Sequence, residues 1–429
     1  MSLFCNDHVT TPDNECCPSS PSAPSTLGCL TKEDMDRLDS LYEEMTSAGD
    51  RMIGFPENQE FDYCMLERFL KVSLNNCGDP FGDTHYSLNT YGIEREVIGQ
   101  VAKLSGADPD DVWGYVTNGG TEGNTCGVYI ARERFPDGIV YFSSHAHYSA
   151  AKIVRLLRCD YKIIDGNIDG TMNLEHFQTV IEQNKLKPAI VFANVGTTMH
   201  QAVDDIPAIQ TLLEATGVTD VHIHADAALS GFVLPYLDNA PPYNFSAGID
   251  SMAISGHKFV GTPMPCGVVL TRRSLVDAVG DDVDYAGVRD NTITGSRNGL
   301  TPLMLWVSLR RMNHSEMEKE VQSCLAVADY TIERFKELGI HAWRHPYAFT
   351  VVFPKPSMYM IKKWNLAPNS EISHVICSRH VTTSIIDKFF ADMVSNMIEA
   401  RTHESMEAHQ RIIVLQRANA DRPQRTFSM

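Results

Sequence analysis

Val221-His222-Ile223-His224-Ala225-Asp226-Ala227-Ala228 is a short apolar run that ends in a carboxylate set among small residues. A run of this length and composition reads as a buried strand. A second run, Ser251-Met252-Ala253-Ile254-Ser255, reads the same way and passes into Gly256-His257-Lys258-Phe259-Val260-Gly261. Each strand end thus delivers one charged group, Asp226 from the first and Lys258 from the second. A lysine among small residues just past a strand can form a Schiff base with an aldehyde cofactor. A buried carboxylate keeps a pyridine nitrogen protonated, so that the ring accepts electrons. The pair points to pyridoxal 5'-phosphate.

Outward from these two runs, short apolar strands alternate with helical segments from about residue 95 to 300. Gly138-Ile139-Val140-Tyr141-Phe142, Tyr161-Lys162-Ile163-Ile164 and Ala189-Ile190-Val191-Phe192-Ala193 are the others. Strands so short and so apolar predict an α/β fold with a parallel sheet covered on both faces. Ligands on such sheets sit at the carboxyl ends of strands, where Asn194 to Thr198, Asp226 and Lys258 all fall. Beyond residue 302 the pattern predicts one long helix over 303–337, a strand at Phe349-Thr350-Val351-Val352-Phe353 and a closing helix over 385–400. The expected organisation is a disordered tail over 1–30, rich in Pro, Ser and Thr, and an N-terminal helical segment over 31–62. A large cofactor-binding domain over 63–301, a small C-terminal α/β domain over 302–400 and a loose tail over 401–429 follow. Thr31-Lys32-Glu33-Asp34 has the form of a capping box, and Met35, Leu38, Leu41 and Tyr42 recur behind it at helical spacing. That stripe is expected to pack on its own subunit or to clasp a partner.

The chain has 429 residues, 43% hydrophobic and 21% charged, with a formal net charge of −18. Nucleic-acid binding needs clustered Lys and Arg, and no such cluster occurs, so a polyanionic partner is not expected. The 11 cysteines are scattered without CxxC spacing, which argues against a zinc site or a disulfide framework and for reduced thiols in a cytoplasmic protein. Residues 1–30 hold no basic residue and no apolar core run, so neither a secretory nor a transit peptide is expected there. No stretch reaches the apolar length of a membrane span.

Three further stretches carry chemistry. Tyr115-Val116-Thr117-Asn118-Gly119-Gly120-Thr121-Glu122-Gly123-Asn124 reads as strand, glycine turn and helix start, where backbone N–H groups and the Thr121 hydroxyl can approach a phosphate. By itself a Gly-Gly before a helix is more often only a turn. His147, in Ser144-His145-Ala146-His147-Tyr148-Ser149, can stack on a pyridine ring or serve as an ordinary structural histidine. Thr197 and Thr198 can touch the ring or merely cap a loop. His222, His224 and Asp226 alternate as a strand-borne zinc set would, but no third strong ligand with motif spacing accompanies them, and no metal is expected.

Asn118-Gly119-Gly120-Thr121-Glu122-Gly123-Asn124, His147-Tyr148-Ser149, His224-Ala225-Asp226-Ala227-Ala228, Ser255-Gly256-His257-Lys258 and Thr294-Gly295-Ser296-Arg297-Asn298-Gly299 occur in this order. In this the chain resembles the group II pyridoxal phosphate-dependent amino-acid decarboxylases over roughly residues 53 to 398. The branch it resembles most holds bacterial histidine decarboxylases and plant serine decarboxylases. The resemblance implies a fold-type I, aspartate-aminotransferase-like homodimer with a mostly parallel seven-stranded sheet and active sites at the subunit interface. It implies Lys258 as the Schiff-base lysine, Asp226 as the pyridinium partner and His147 stacked on the ring. Ala228 would pack under the ring and Thr198 near its edge. Gly119, Gly120, Thr121, Ser255 and His257 would hold the phosphate, with Ser296 joining from the neighbouring subunit. Tyr285, in the polar stretch Asp281-Asp282-Val283-Asp284-Tyr285-Ala286-Gly287, is similar in placement to the loop tyrosine that the family uses as proton donor, though by itself it also reads as an ordinary surface tyrosine.

Two departures bear on the substrate. The branch reads Asn-Gly-His where this chain has Asn298-Gly299-Leu300, and it often has serine where Ala348 stands. Both remove polarity from the expected side-chain pocket, to which Tyr63, His85 and Tyr86 would still contribute. A site that loses a hydrogen-bond partner loses discrimination. L-histidine is the first expectation, with L-serine or an aliphatic amino acid (methionine, leucine or valine) as alternatives. The same residues also leave open an aminotransferase, which would hold the substrate carboxylate with Arg297 or Arg344, and a non-catalytic protein of the same fold.

Overall fold

The computed structural model describes residues 30–276, 279–283, 288–399 and 402. The expected tails, apart from residues 30 and 402, and Tyr285 lie outside them. Residues up to Asp50 form one compact unit and those from Arg51 onward a second. In the first, helix α1 (Lys32–Gly49) starts at the expected capping box, with Thr31 Oγ1 accepting from Asp34 N and the Asp34 carboxylate accepting from Thr31 N. Its Leu38, Leu41, Tyr42 and Met45 are exposed. The helical expectation for 31–62 holds only to Gly49, because Gly54 and Pro56 interrupt the pattern and residues 51–62 contain no helix.

In the second unit seven strands form one sheet: β1 (Val112–Thr117), β2 (Ile139–Ser143), β3 (Asp160–Ile164), β4 (Ala189–Asn194), β5 (Val221–Asp226), β6 (Ser251–Ser255) and β7 (Gly267–Arg272). Their spatial order is β1-β7-β6-β5-β4-β2-β3. Neighbours from β3 to β6 pair in parallel, and β7 is antiparallel to both β6 and β1. The reason lies in the connection. Residues 256–266, which carry Lys258, contain no helix, and without a crossover helix the next strand must return antiparallel.

Five helices connect these strands or precede them: α2 (Tyr91–Leu104), α3 (Gly120–Arg134), α4 (Ser149–Leu156), α5 (Leu174–Asn184) and α6 (Ile206–Ala215). Both sheet faces are buried, so successive residues feed different cores. On β2, Ile139 and Tyr141 join the main core, while Val140 and Phe142 face a second core with Val128, Ile153 and Phe192. Helix α3 lies close against the sheet. A Cβ on Gly127 would sit 2.1 Å from His224 Nδ1, so only glycine lets the helix approach that strand.

Strands β8 (Asp281–Val283) and β9 (Val288–Asp290) pair antiparallel. Two helices follow, α7 (Leu300–Arg311) and α8 (His314–Glu337), where the sequence predicts one. The break falls at Asn313, whose side chain accepts from Glu316 N while the Glu316 carboxylate accepts from Asn313 N. A capping box begins a new helix more favourably than it continues an old one. Strand β10 (Thr350–Pro354) pairs antiparallel with β11 (Ile372–Ile376), with α9 (Met358–Lys363) between them, and residues 383–399 close the fold as a helix. Buried Gln201 ties β10 to the loop after β4: its Oε1 accepts from Phe349 N, Thr350 N and Thr350 Oγ1.

Candidate active site

The carboxyl ends of β4, β5 and β6 open into a cavity of about 750 Å³. Asp226 is the last residue of β5, and Lys258 follows the end of β6 by one turn of loop. Both line the cavity. Burial pushes the Lys258 ammonium below its ordinary pKa, and the Asp226 carboxylate works in the opposite sense. Asp226 Oδ1 accepts from Ala228 N at 3.2 Å, which bends the chain just after the strand and brings Ala228 to the cavity floor.

Gly119, Gly120 and Thr121 line the same cavity where β1 passes into α3. Gly119 has φ +133°, a conformation that favours glycine, and as the N-cap residue it leaves the first N–H groups of α3 without a side-chain cap. A Cβ on Gly120 would sit 2.8 Å from Ser255 Oγ and 3.1 Å from Ala228 Cβ. The space is a cradle for a phosphate on a helix N-terminus. His257 Nδ1 pairs with the Cys266 carbonyl at 2.9 Å, so its Nε2 is the ring nitrogen left for a ligand.

His147 also lines the cavity, and its Nδ1 bonds Ser149 Oγ at 2.8 Å. Burial lowers its pKa, an effect that Asp226 opposes and Lys258 reinforces. A neutral imidazole suits stacking against an electron-poor ring. Thr198 is exposed at the cavity, while Thr197 Oγ1 accepts from Ala202 N at 3.0 Å and caps its loop. These groups fit pyridoxal phosphate: a primary amine, a facing carboxylate, a flat neutral ring and a glycine-lined anion cradle converge in one space.

The histidines of β5 are occupied elsewhere. His224 lies between Ser251 Oγ, at 2.8 Å from Nδ1, and Asn124 Oδ1, at 2.9 Å from Nε2, and His222 Nε2 pairs with the same Ser251 hydroxyl. Both are fully buried, and burial drives His224 down to about 3.

The expected side-chain pocket is not assembled within this chain's own cavity. Tyr63 OH donates to the Gly261 carbonyl at 2.7 Å and meets Ser308 Oγ at the same distance. Leu300 packs with Leu66, Leu303 and Met304, and Ala348 is fully buried in the core. His85, Tyr86 and Ser296 are exposed and do not line the cavity. Neither candidate arginine reaches it. Arg297 pairs with Glu94, and Arg344 with Asp329 at 2.6 Å.

Reading the sequence alone passes over one wall. Gly54, Phe55, Pro56 and Glu57 line the cavity together with His374 and Ile376. His374 Nε2 pairs with the Gly54 carbonyl at 3.0 Å, and Ile376 N donates to the Ile53 carbonyl at 2.7 Å, which joins the two segments. Residues so distant in the chain carry no common motif.

Three comparisons bear on this arrangement. Residues 131–345 match the family described as "Pyridoxal-dependent decarboxylase conserved domain". The chain is 42% identical over 369 residues to a histidine decarboxylase of Pseudomonas entomophila (strain L48), covering 85% of this chain and 92% of that protein. It is 42% identical over 370 residues to a histidine decarboxylase of Morganella morganii, covering 86% and 98%. Among solved structures, L-methionine decarboxylase from Streptomyces sp. 590 superposes with a TM-score of 0.78 at 25% identity, covering 87% of this chain and 97% of that one.

Proposed function

This chain belongs to the pyridoxal-dependent decarboxylase family, and we propose that within it the enzyme converts L-histidine to histamine and CO2. It is a pyridoxal phosphate-dependent carboxy-lyase of fold type I. The histidine assignment is supported by relatives that are 42% identical over 369 and 370 aligned residues, most of either chain. The observation that carries the catalytic reading is the meeting of Lys258, Asp226 and the Gly119–Gly120 cradle in one cavity.

Lys258 would hold the cofactor through its amine, Asp226 would face the ring nitrogen and His147 would lie on the ring face, with Ala228 beneath it. Gly119, Gly120, Thr121, Ser255 and His257 would take the phosphate, and Thr198 would stand at the ring edge. When bound, the cofactor supplies an electron sink for the pair released as the bond between Cα and the carboxylate breaks. The chain's part is to orient that bond and to move protons. Burial favours the uncharged Lys258 amine, the form that can bond the cofactor's aldehyde carbon. Among the described residues lining the cavity there is no arginine, so no guanidinium from this set stabilises the carboxylate that must leave. That favours carbon dioxide loss over amino-group transfer. Tyr285 is our candidate for returning a proton to Cα.

In this reading 63–301 is the cofactor-binding part and 302–400 the smaller one, and the enzyme works as a cytoplasmic homodimer. Exposed Ser296, His85 and Tyr86 would then face a second copy, where Ser296 can reach the other copy's phosphate. The test is a carbon dioxide and amine assay of the purified holoenzyme across L-histidine, L-serine, L-methionine and L-leucine. Histamine as the main product supports the reading, and a different principal amine overturns the substrate assignment. Cofactor absorbance without carbon dioxide from any amino acid would instead favour a non-catalytic role.

A further inference from the structure

On the wall formed by 54–57 and 374–376, Glu57 is the one carboxylate, and its neighbours Phe55, Pro56 and Ile376 are apolar. Besides Asp226 it is the only acid among the described residues lining the cavity. Its side chain has neither a hydrogen bond nor an ion pair to any described residue. A carboxylate without a protein partner on such a wall is free to accept from a donor on a ligand that enters the cavity.

Glu57 is also held in place. The next residue, Asn58, donates its N–H to the carbonyl of Lys258 itself at 3.2 Å, and its side-chain amide donates to the Phe259 carbonyl at 3.4 Å. On the other side, His380 Nε2 pairs with the Met52 carbonyl at 2.8 Å, and Gly54 is bonded to His374. Pro56 fixes its own φ and disfavours a helical conformation at Phe55. The segment is therefore a stiff arm bolted to the lysine loop at one end and to β11 at the other. The field of Glu57 reaches the reaction centre, since it favours the protonated forms of Lys258, His257 and His380.

We propose that Glu57 reads the substrate side chain, its carboxylate accepting a hydrogen bond from an imidazole N–H and thereby selecting histidine over aliphatic amino acids. This rests on the decarboxylase reading above and names the residue behind its substrate choice. An imidazole has an N–H in both its neutral and its protonated form, so the contact persists across neutral pH. A methionine or leucine side chain would leave the carboxylate without a donor, and an acidic side chain would be repelled by it.

The test compares the wild-type holoenzyme with Glu57→Gln, which keeps the shape, and Glu57→Leu. Measurements are carbon dioxide release from L-histidine and L-methionine, and inhibition by histamine and 3-methylthiopropylamine. In Glu57→Gln the preference for histidine over methionine is expected to fall roughly 10- to 100-fold, as a charge-assisted hydrogen bond is replaced by a weaker one. The loss should appear in KM more than in kcat, with histamine inhibition weakened in parallel. Glu57→Leu should shift preference further toward methionine. An unchanged histidine KM, or equal losses for both substrates and both amines, would overturn the proposal while leaving the decarboxylase reading intact. A wild type that prefers methionine overturns the histidine assignment and the Glu57 proposal together.

Discussion

Glu94 and Arg297 form an ion pair that is sealed from solvent, with side-chain exposures of 0% and 1%. Glu94 also accepts from Val116 N at 2.8 Å and from Asn76 Nδ2 at 2.6 Å, and Arg297 Nη2 donates to the Gly78 carbonyl at 2.8 Å. Helix α2, the end of β1, the 76–78 segment and the loop bearing Ser296 thus meet at one salt bridge. The arginine that the sequence offers as a substrate anchor is a structural bolt instead.

Removing one partner strands the other's charge in the core, which typically costs about 3–5 kcal/mol. Arg297→Met should lower stability by that order in urea denaturation. A loss below 1 kcal/mol would mean that the pair is not the bolt described.

Asp226 lines the cavity and in the proposed arrangement faces the ring nitrogen, whereas the phosphate cradle belongs to other segments. Asp226→Ala should therefore reduce kcat on the order of 10²-fold or more, an effect of the size seen when one preorganised charge is lost. Cofactor affinity should change much less. Comparable losses in spectrophotometric cofactor titration and in turnover would show that Asp226 serves binding instead.

Gly120 owes its place to contact rather than to φ. A methyl group there meets Ser255 Oγ at 2.8 Å and intrudes on the cradle. Gly120→Ala should weaken cofactor binding about 10-fold, roughly 1.4 kcal/mol, while the fold tolerates a residue with better helix propensity. Retained affinity in equilibrium dialysis would place the phosphate elsewhere.

Buried histidines make stability depend on pH. His200 and His374 are pushed down to about 4 and His224 to about 3, chiefly by burial. The unfolded chain takes up these protons below its ordinary value near 6.5, the folded chain only near 3–4, so stability falls as pH drops through that window. Buried Asp204, raised to about 6, works in the opposite direction between about 6 and 4. Each histidine costs roughly 2 kcal/mol at pH 5 relative to pH 7, so the three outweigh the single carboxylate. The urea midpoint should be lower at pH 5 than at pH 7, and less so in His374→Gln. A flat profile would contradict the burial assigned to these rings.

The short apolar strands, Asp226 and Lys258 at their ends, and the Gly119–Gly120 turn were all legible in the chain. Each is a local pattern: period, length, and a residue type that only one backbone conformation accepts. The antiparallel β7 and the break at Asn313 are also local, though their signals were weaker than the neighbouring apolar periodicity. The partners of a charged group were not legible. Arg297 and Glu57 are both single charges in polar or mixed segments, and nothing in their neighbourhoods says that one finds Glu94 and the other finds only the cavity. Sequence determined which groups the fold would carry to the strand ends, because strand and turn formation depend on near neighbours. Tertiary structure alone decided which charge was cancelled in the core and which was left facing the substrate, because that depends on segments hundreds of residues apart coming within hydrogen-bond distance.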